Sequence, residues 1–464
     1  MWRPRRLDTF SRVRSDKPRR FWIESFGCQM NDYDVERMTE TLTSAGYEQT
    51  LLRPTADLVI INTCNIREKA ERKTASAAGL WKEWRRDKPG AVLAIGGCVP
   101  SVDGDGLLKS IPHADFVFNP DAIPRIAEMA DEALATRRRF TATAFIDVED
   151  YDFLDARPVP GKVGVTALVT IQKGCDNGCA YCVVPKTRGR EVSRPLPEVV
   201  AEVARFVQAG AKEVTLIGQN VNSYHGAGGG SDDFATLLAA VGEVAGLERI
   251  RYTTSHPKDV TPKVSEAFRD VPKLCEWMHL PVQSGSARVL AAMRREYTPD
   301  EYRRKLDYAR ACTPDLSITS DIIVGYPGET EADFRMTMAL VEDVRFDGLY
   351  SFQYSPRPGT PAFAMDDDVP DAEKRERLGR LQELQQSIGR ERLSRFVGRV
   401  EPVLVEGVSS RSPDHVCGRA RGNQVINAPL PSGIAAVDLI GRTVSVQVVA
   451  ARAHTLAGEI QALS

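Results

Sequence analysis

Continuous apolar runs that alternate with amphipathic helical segments admit few folds, because a strand apolar on both sides belongs in a parallel sheet covered on both faces. FWIESF (21–26), DLVIINT (57–63) and AVLAIGG (91–97) read as three such strands, with helices over about 34–45 and 67–86. A charged helix and linker follow, over about 121–162. The rhythm then resumes. Six strands are predicted over about 166–172, 213–218, 249–254, 276–281, 317–324 and 348–354, with helices such as Leu196–Ala209 and Pro299–Ala311. Six βα units predict a curved parallel sheet, a partial (β/α)6 version of the closed eight-stranded barrel. Its strands end in KGC, GQN, TSHP, PVQSGS, VGYPGET and YSPRPGT, on the edge where parallel sheets bind ligands. GAGGGS (226–231) reads as a linker, and 371–398 as a long charged helix. Beyond it, short β-rich stretches separated by Gly, Pro and Asn predict a small all-β barrel. The expected fold class is therefore α/β. A basic, disordered arm (1–19) leads into a parallel α/β domain (20–135), a linker (136–160), the partial barrel (161–395) and the terminal β-barrel (396–460).

The 464 residues carry 61 basic against 63 acidic side chains, which excludes a polycation that binds nucleic acid by bulk charge. Local patches remain. The first 20 residues hold eight Lys or Arg against two Asp, and read as a solvated tail or an RNA-contacting arm. No run of 18 apolar residues predicts a membrane span, and the first 20 residues lack the apolar segment of a secretory signal, so a cytoplasmic protein is expected. Nine cysteines, an odd number, argue for metal or redox chemistry over a disulfide scaffold.

Three of them, Cys175, Cys179 and Cys182, stand in KGCDNGCAYC just after the first strand of the six. Three thiols this close point to a metal. Structural zinc needs a fourth ligand, which the neighbouring residues do not supply; a 4Fe–4S cubane held by three thiolates leaves one iron open. The C-x3-C-x-aromatic-C spacing, with Tyr181 in the aromatic position, resembles the radical S-adenosylmethionine (SAM) enzymes. That resemblance implies a cluster whose open iron chelates SAM and cleaves it to a 5′-deoxyadenosyl radical. It also implies SAM contacts from Tyr181, from Gly218, Gln219 and Asn220, and from Ser255, Gln283 and Asp321, each of which reads equally as a loop-stabilising group.

Cys28, Cys64 and Cys98 are distant in sequence, yet SFGCQMN, NTCNIREKA and GGCVPS place each directly after a predicted parallel strand. Their thiols are expected to converge on one edge, and Gly27, Gly96 and Gly97 read as space for an inorganic body. Cys275, Cys312 and Cys417 lack such context and read as structural. Two three-cysteine sets, with GCDNGCAYCVVPKTRGREVSR and YSPRPGTPA, resemble the methylthiotransferases, and within them the MiaB-type tRNA branch, from about 20 to 460. This resemblance implies a second 4Fe–4S cluster at Cys28, Cys64 and Cys98 and a terminal TRAM barrel. It implies methylthiolation at C2 of N6-isopentenyladenosine 37, on the anticodon stem-loop of tRNA.

Arg188, Arg190 and Arg194 in KTRGREVSR read either as salt-bridged residues or as phosphate contacts to RNA. The terminal module holds seven Arg against five acidic residues over 395–459, a slight bias, so its RNA role is what the resemblance implies, and its removal is expected to weaken RNA binding more than SAM cleavage. No general base is assigned. A monomer served by an external electron donor is expected. Three alternatives stay open: methylthiolation of threonylcarbamoyladenosine 37, of a ribosomal-protein aspartate, or an RNA-binding protein with a structural metal site.

Overall fold

The computed structural model describes residues 18–65, 79–158, 160–161, 163–226 and 232–463. The basic arm before Pro18, the IREKA stretch and most of GAGGGS therefore lie outside the described residues. The chain divides into two compact units. One comprises Met1–Arg157 with Lys173–Asn177 and Val183–Val192; the other comprises Pro158–Gln172, Gly178–Cys182 and Ser193–Ser464.

The first unit is built on an all-parallel six-stranded sheet, ordered Glu48–Gln49, Arg20–Ser25, Leu58–Thr63, Val92–Gly97, Phe116–Phe118, Phe140–Ala142. The three long strands are those predicted. The three short ones escape a reading based on apolar runs, and Phe140–Ala142 falls within the segment expected to be linker. Alternation divides the central strands between two cores. Ile60, Ala94, Phe116, Phe118 and Phe140 pack with Met38 and Leu42 on one face. Val59, Ile61, Leu93, Ile95 and Val117 pack with Trp81 on the other.

In the second unit all six predicted strands form. Thr166–Thr170, Glu213–Ile217 and Arg249–Tyr252 make one parallel sheet, and Trp277–His279, Ser317–Val324 and Gly348–Gln353 make another. A parallel bridge between Ile250 and Leu274 links the two. Helix Asp371–Ser394 leads to a closed barrel of five strands, Val400–Val408, His415–Arg419, Val425–Pro429, Thr443–Ala451 and Leu456–Leu463.

This terminal barrel is joined to the strand array by more than helix Asp371–Ser394. Its turn after His415–Arg419 seats on the starting ends of the six-strand array. Arg249 donates to the carbonyls of Arg419 (2.6 Å) and Pro402 (2.9 Å). Arg251 donates to those of Ala420 (2.9 Å) and Arg421 (2.8 Å), and its Nε lies 3.0 Å from Glu213. In return Arg421 forks onto Glu276 (2.7 Å), and Gln424 donates to Ser317 Oγ at 2.8 Å. Glu213, Arg249 and Ser317 each open a strand, so the turn closes the end of the array opposite its carboxyl edge. Arg251 and Glu213 are almost fully buried, and a lone charge there is left without water. Arg251→Leu is therefore expected to cost about 3–5 kcal/mol. Arg421→Ala, whose partner keeps some solvent, is expected to cost about 1–3 kcal/mol. Urea titration of the two variants checks the order.

Candidate metal centres and cofactor edge

In the first unit Cys28, Cys64 and Cys98 follow three neighbouring parallel strands, as expected. Cys28 is also the N-cap of helix Gln29–Ser44, and Cys98 opens helix Cys98–Ser110. Helix N-termini favour thiolate. The Cys64 thiol bonds to Cys28, and with Arg188 holds the Cys28 thiol down at about 6 against the upward pull of burial. At Cys98 burial wins and pushes the thiol up, although Arg188 Nε donates to its Sγ at 3.3 Å. Asn31 braces the loop: its Nδ2 donates to the Thr63 carbonyl at 2.9 Å, and its Oδ1 accepts from the Cys28 amide and thiol, both at 3.4 Å.

The glycines have a different purpose from the one expected. A Cβ on Gly96 would lie 2.3 Å from the Phe118 ring, and one on Gly27 2.3 Å from Asn31 Oδ1. Gly97 has φ +98°, and its Cβ would meet the Thr63 carbonyl oxygen at 2.3 Å. All three are required by close packing of protein against protein, not by open space. Among the described residues no three His, Cys, Asp or Glu side chains form a cage for a lone metal ion. Three thiols, two at helix N-termini, with an arginine donating to sulfur, suit a larger anionic sulfur-rich group.

Arg188 is buried, and its guanidinium also grips Asp34 through both oxygens, at 3.1 and 2.6 Å. Neither Asp34 nor Asn31 was singled out by motif spacing. Lys173 is likewise buried in an ion pair with Asp121 at 2.7 Å, over the Tyr151 ring. Cys175, in the same unit, is buried with its amide bonded to the Gly189 carbonyl at 3.3 Å. Arg190 is exposed and forks onto Asp176 at 2.7 and 2.9 Å.

In the second unit the Cys182 amide donates to the Cys179 carbonyl at 3.1 Å, folding that part of the cysteine loop into a turn. Cys179 Sγ lies 3.4 Å from Arg295 NH1 and 3.9 Å from His256 Nε2. Arg295 also reaches the Tyr181 hydroxyl at 3.4 Å. Burial, joined by the charges of Arg295, Lys258 and Lys305, pulls His256 down to about 2, so the ring is neutral. Arg295 and His256 carry no motif of their own.

The carboxyl edge of the six strands gathers most of the expected SAM-contacting residues. Gln172 Oε1 accepts from the amides of Gln219 (2.9 Å) and Asn220 (3.1 Å), and a Cβ on Gly218 would lie 2.7 Å from that oxygen. Asn220 Oδ1, Ser255 Oγ and Gln283 Oε1 are buried without a hydrogen-bond partner among the described residues. Gln283 and Thr254, the neighbour of Ser255, hold left-handed φ of 72° and 70°, strain that concentrates at ligand sites. Orphaned polar atoms on three successive strand ends suit a polar, zwitterionic ligand such as SAM. Asp321 is not among them: it lies mid-strand in Ser317–Val324, facing His279 Nε2 at 3.5 Å. Arg194 is buried against Glu202 at 2.7 Å. With Arg188 also committed to Asp34, Arg190 is the member of the trio exposed to solvent.

Residues 20–119 match the uncharacterized protein family UPF0004, residues 169–341 the Radical SAM superfamily and residues 394–460 the TRAM domain. A tRNA-2-methylthio-N(6)-dimethylallyladenosine synthase of Burkholderia ambifaria is 45% identical over 454 residues, covering 96% of this chain and 98% of its own. One of Nitrosospira multiformis is 44% identical over 447 residues, covering 95% and 93%. Among solved structures, the radical S-adenosylmethionine methyltransferase TsrM of Kitasatospora setae aligns with a TM-score of 0.58 at 15% identity, covering 82% of this chain and 79% of that one. That likeness concerns the fold. Sequence identity sustained across nearly the whole of both chains places this protein in the tRNA-2-methylthio-N(6)-dimethylallyladenosine synthase family of radical SAM methylthiotransferases.

Proposed function

We propose that the chain adds a methylthio group to C2 of N6-isopentenyladenosine at position 37 of tRNA, with two 4Fe–4S clusters and SAM as cofactors. The observation that carries this reading is the presence of two three-cysteine sets in a chain collinear with synthases named for that product. Cys28, Cys64 and Cys98 hold the auxiliary cluster; Cys175, Cys179 and Cys182 hold the SAM-binding one. When bound, these groups supply the radical and the methylthio sulfur.

The protein's part is positioning and shielding. Helix N-termini and Arg188 stabilise negative charge at the auxiliary thiols, and Asp34 fixes the guanidinium that does so. Arg295 does the same beside Cys179. Asn220, Ser255 and Gln283 offer their unsatisfied atoms to SAM, with Gly218, Gln219 and Tyr181 shaping the edge. Arg190 is the phosphate contact of its trio, and the TRAM barrel binds RNA beside the anticodon stem-loop. Ile66 and Arg67, which bear on the choice between an apolar isopentenyl group and a carboxylate-bearing threonylcarbamoyl group, lie outside the described residues. Among the described residues no helix is long and apolar enough to cross a membrane. The enzyme works in this reading as a cytoplasmic monomer, reduced by a separate electron donor.

Anaerobic reconstitution should bring the chain to about eight irons, four per cubane. Replacing Cys28, Cys64 and Cys98 together by Ala should halve that content and stop methylthio product, while 5′-deoxyadenosine still forms. Replacing Cys175, Cys179 and Cys182 should abolish 5′-deoxyadenosine. Saturation near one zinc, or product from the first variant, would refute the assignment.

Substrate choice is read by turnover on anticodon stem-loops. The isopentenyl form should outpace the threonylcarbamoyl form, whose carboxylate needs a cation when taken out of water. The opposite preference would move the chain to the sister activity and leave the cluster residues in place.

A further inference from the structure

One face of the six-strand array is built unlike the rest. Along Ser317–Val324, Ile318, Ser320, Ile322 and Val324 are fully buried, whereas Thr319, Asp321 and Ile323 keep solvent. Register puts His279 beside Thr319, and Tyr350 beside Asp321. The side chains of this row are tied together. Trp277 Nε1 donates to Thr319 Oγ1 at 3.1 Å, His279 Nδ1 lies 3.0 Å from that oxygen, and His279 Nε2 lies 3.5 Å from Asp321 Oδ1. The Trp277 and His279 rings are nearly parallel, their planes 24° apart, and Tyr350 meets His279 edge-on.

An indole N–H only donates, so Thr319 Oγ1 accepts from Trp277 and keeps its own proton and a second lone pair for His279 Nδ1. The row ends on Asp321, a carboxylate with acceptor capacity to spare. Beside it Tyr350 is 55% exposed, a large aromatic left in solvent on a parallel strand. Gly348, two residues earlier, adds no side chain over Thr319.

We infer that this face receives the target base, with the purine ring stacked on Tyr350 and its exocyclic N6–H donating to Asp321. The inference rests on the proposed function and names the residues that read its substrate. An adenine ring with an exocyclic N–H is also carried by SAM. Asn220 and Ser255, with their unsatisfied atoms, follow strands of the first three-stranded sheet, whereas Trp277, Thr319, Asp321 and Tyr350 lie on the second, Tyr350 on its outer strand. The Tyr350 side of this face, farthest from Asn220 and Ser255, is therefore left to the RNA base.

The test compares binding of two anticodon stem-loops by the reconstituted full-length protein, one bearing N6-isopentenyladenosine at position 37 and one abasic there. SAM binding is measured in parallel. Stacking of a base on an aromatic ring is worth about 1–3 kcal/mol, so wild type should prefer the base-bearing loop about tenfold or more. Tyr350→Ala should erase most of that preference, Tyr350→Phe should restore it, and Asp321→Asn should reduce it several-fold. Preference retained in both Tyr350→Ala and Asp321→Asn overturns the inference. So does a tenfold loss of SAM affinity in Tyr350→Ala with base preference intact. Wild-type protein that binds neither stem-loop overturns the functional reading itself, and this inference with it.

Discussion

Parallel pairing is the constraint from which the rest follows. Each crossover returns the chain to the same starting end, so every strand of a sheet finishes on one edge. In the first unit that edge takes Cys28, Cys64 and Cys98, each within three residues of a strand end. The same reversal starts a helix at Cys28 and at Cys98, so the geometry that gathers the thiols also supplies the positive helix ends that favour their ionised form. In the second unit it gathers Asn220, Ser255 and Gln283, whose buried atoms find no partner among the described residues.

The long strands and the cysteine sets were legible in the sequence because each is a local pattern with a fixed period or spacing. Strands Phe116–Phe118 and Phe140–Ala142 were not, since three residues carry no period and their pairing is decided by the sheet they join. The two readings of the arginines stay unseparated in the sequence for a related reason. Arg188 and Arg194 look like Arg190 in KTRGREVSR, but their environment is set by Asp34 and Glu202, which lie 154 and eight residues away. The glycines beside the thiols show the same limit: smallness is visible in sequence, while the Phe118 ring that demands it is not.

Burial of charge separates the roles these side chains play. A guanidinium taken out of water is tolerated when carboxylates or carbonyls meet its donors. Arg188, Arg194 and Arg251 all satisfy that condition inside the protein and are thereby committed to architecture or to sulfur. What remains for a ligand is polar capacity left over after internal needs are met, and it is found at the strand ends and on the Asp321 side of the open face.

The seating of the turn after Arg419 has a consequence for exchange of the terminal barrel. A terminal domain joined by one helix alone is freely exchanged between chains. Here the joint is written in both partners: Arg249, Arg251 and Glu276 on the strand array answer carbonyls and Arg421 on the barrel. A chimera whose imported barrel lacks this turn leaves Arg249 without its carbonyl acceptors and Arg251 with Glu213 alone. Exchange of the barrel is thus constrained at its inner turn, while its outward face carries no such tie.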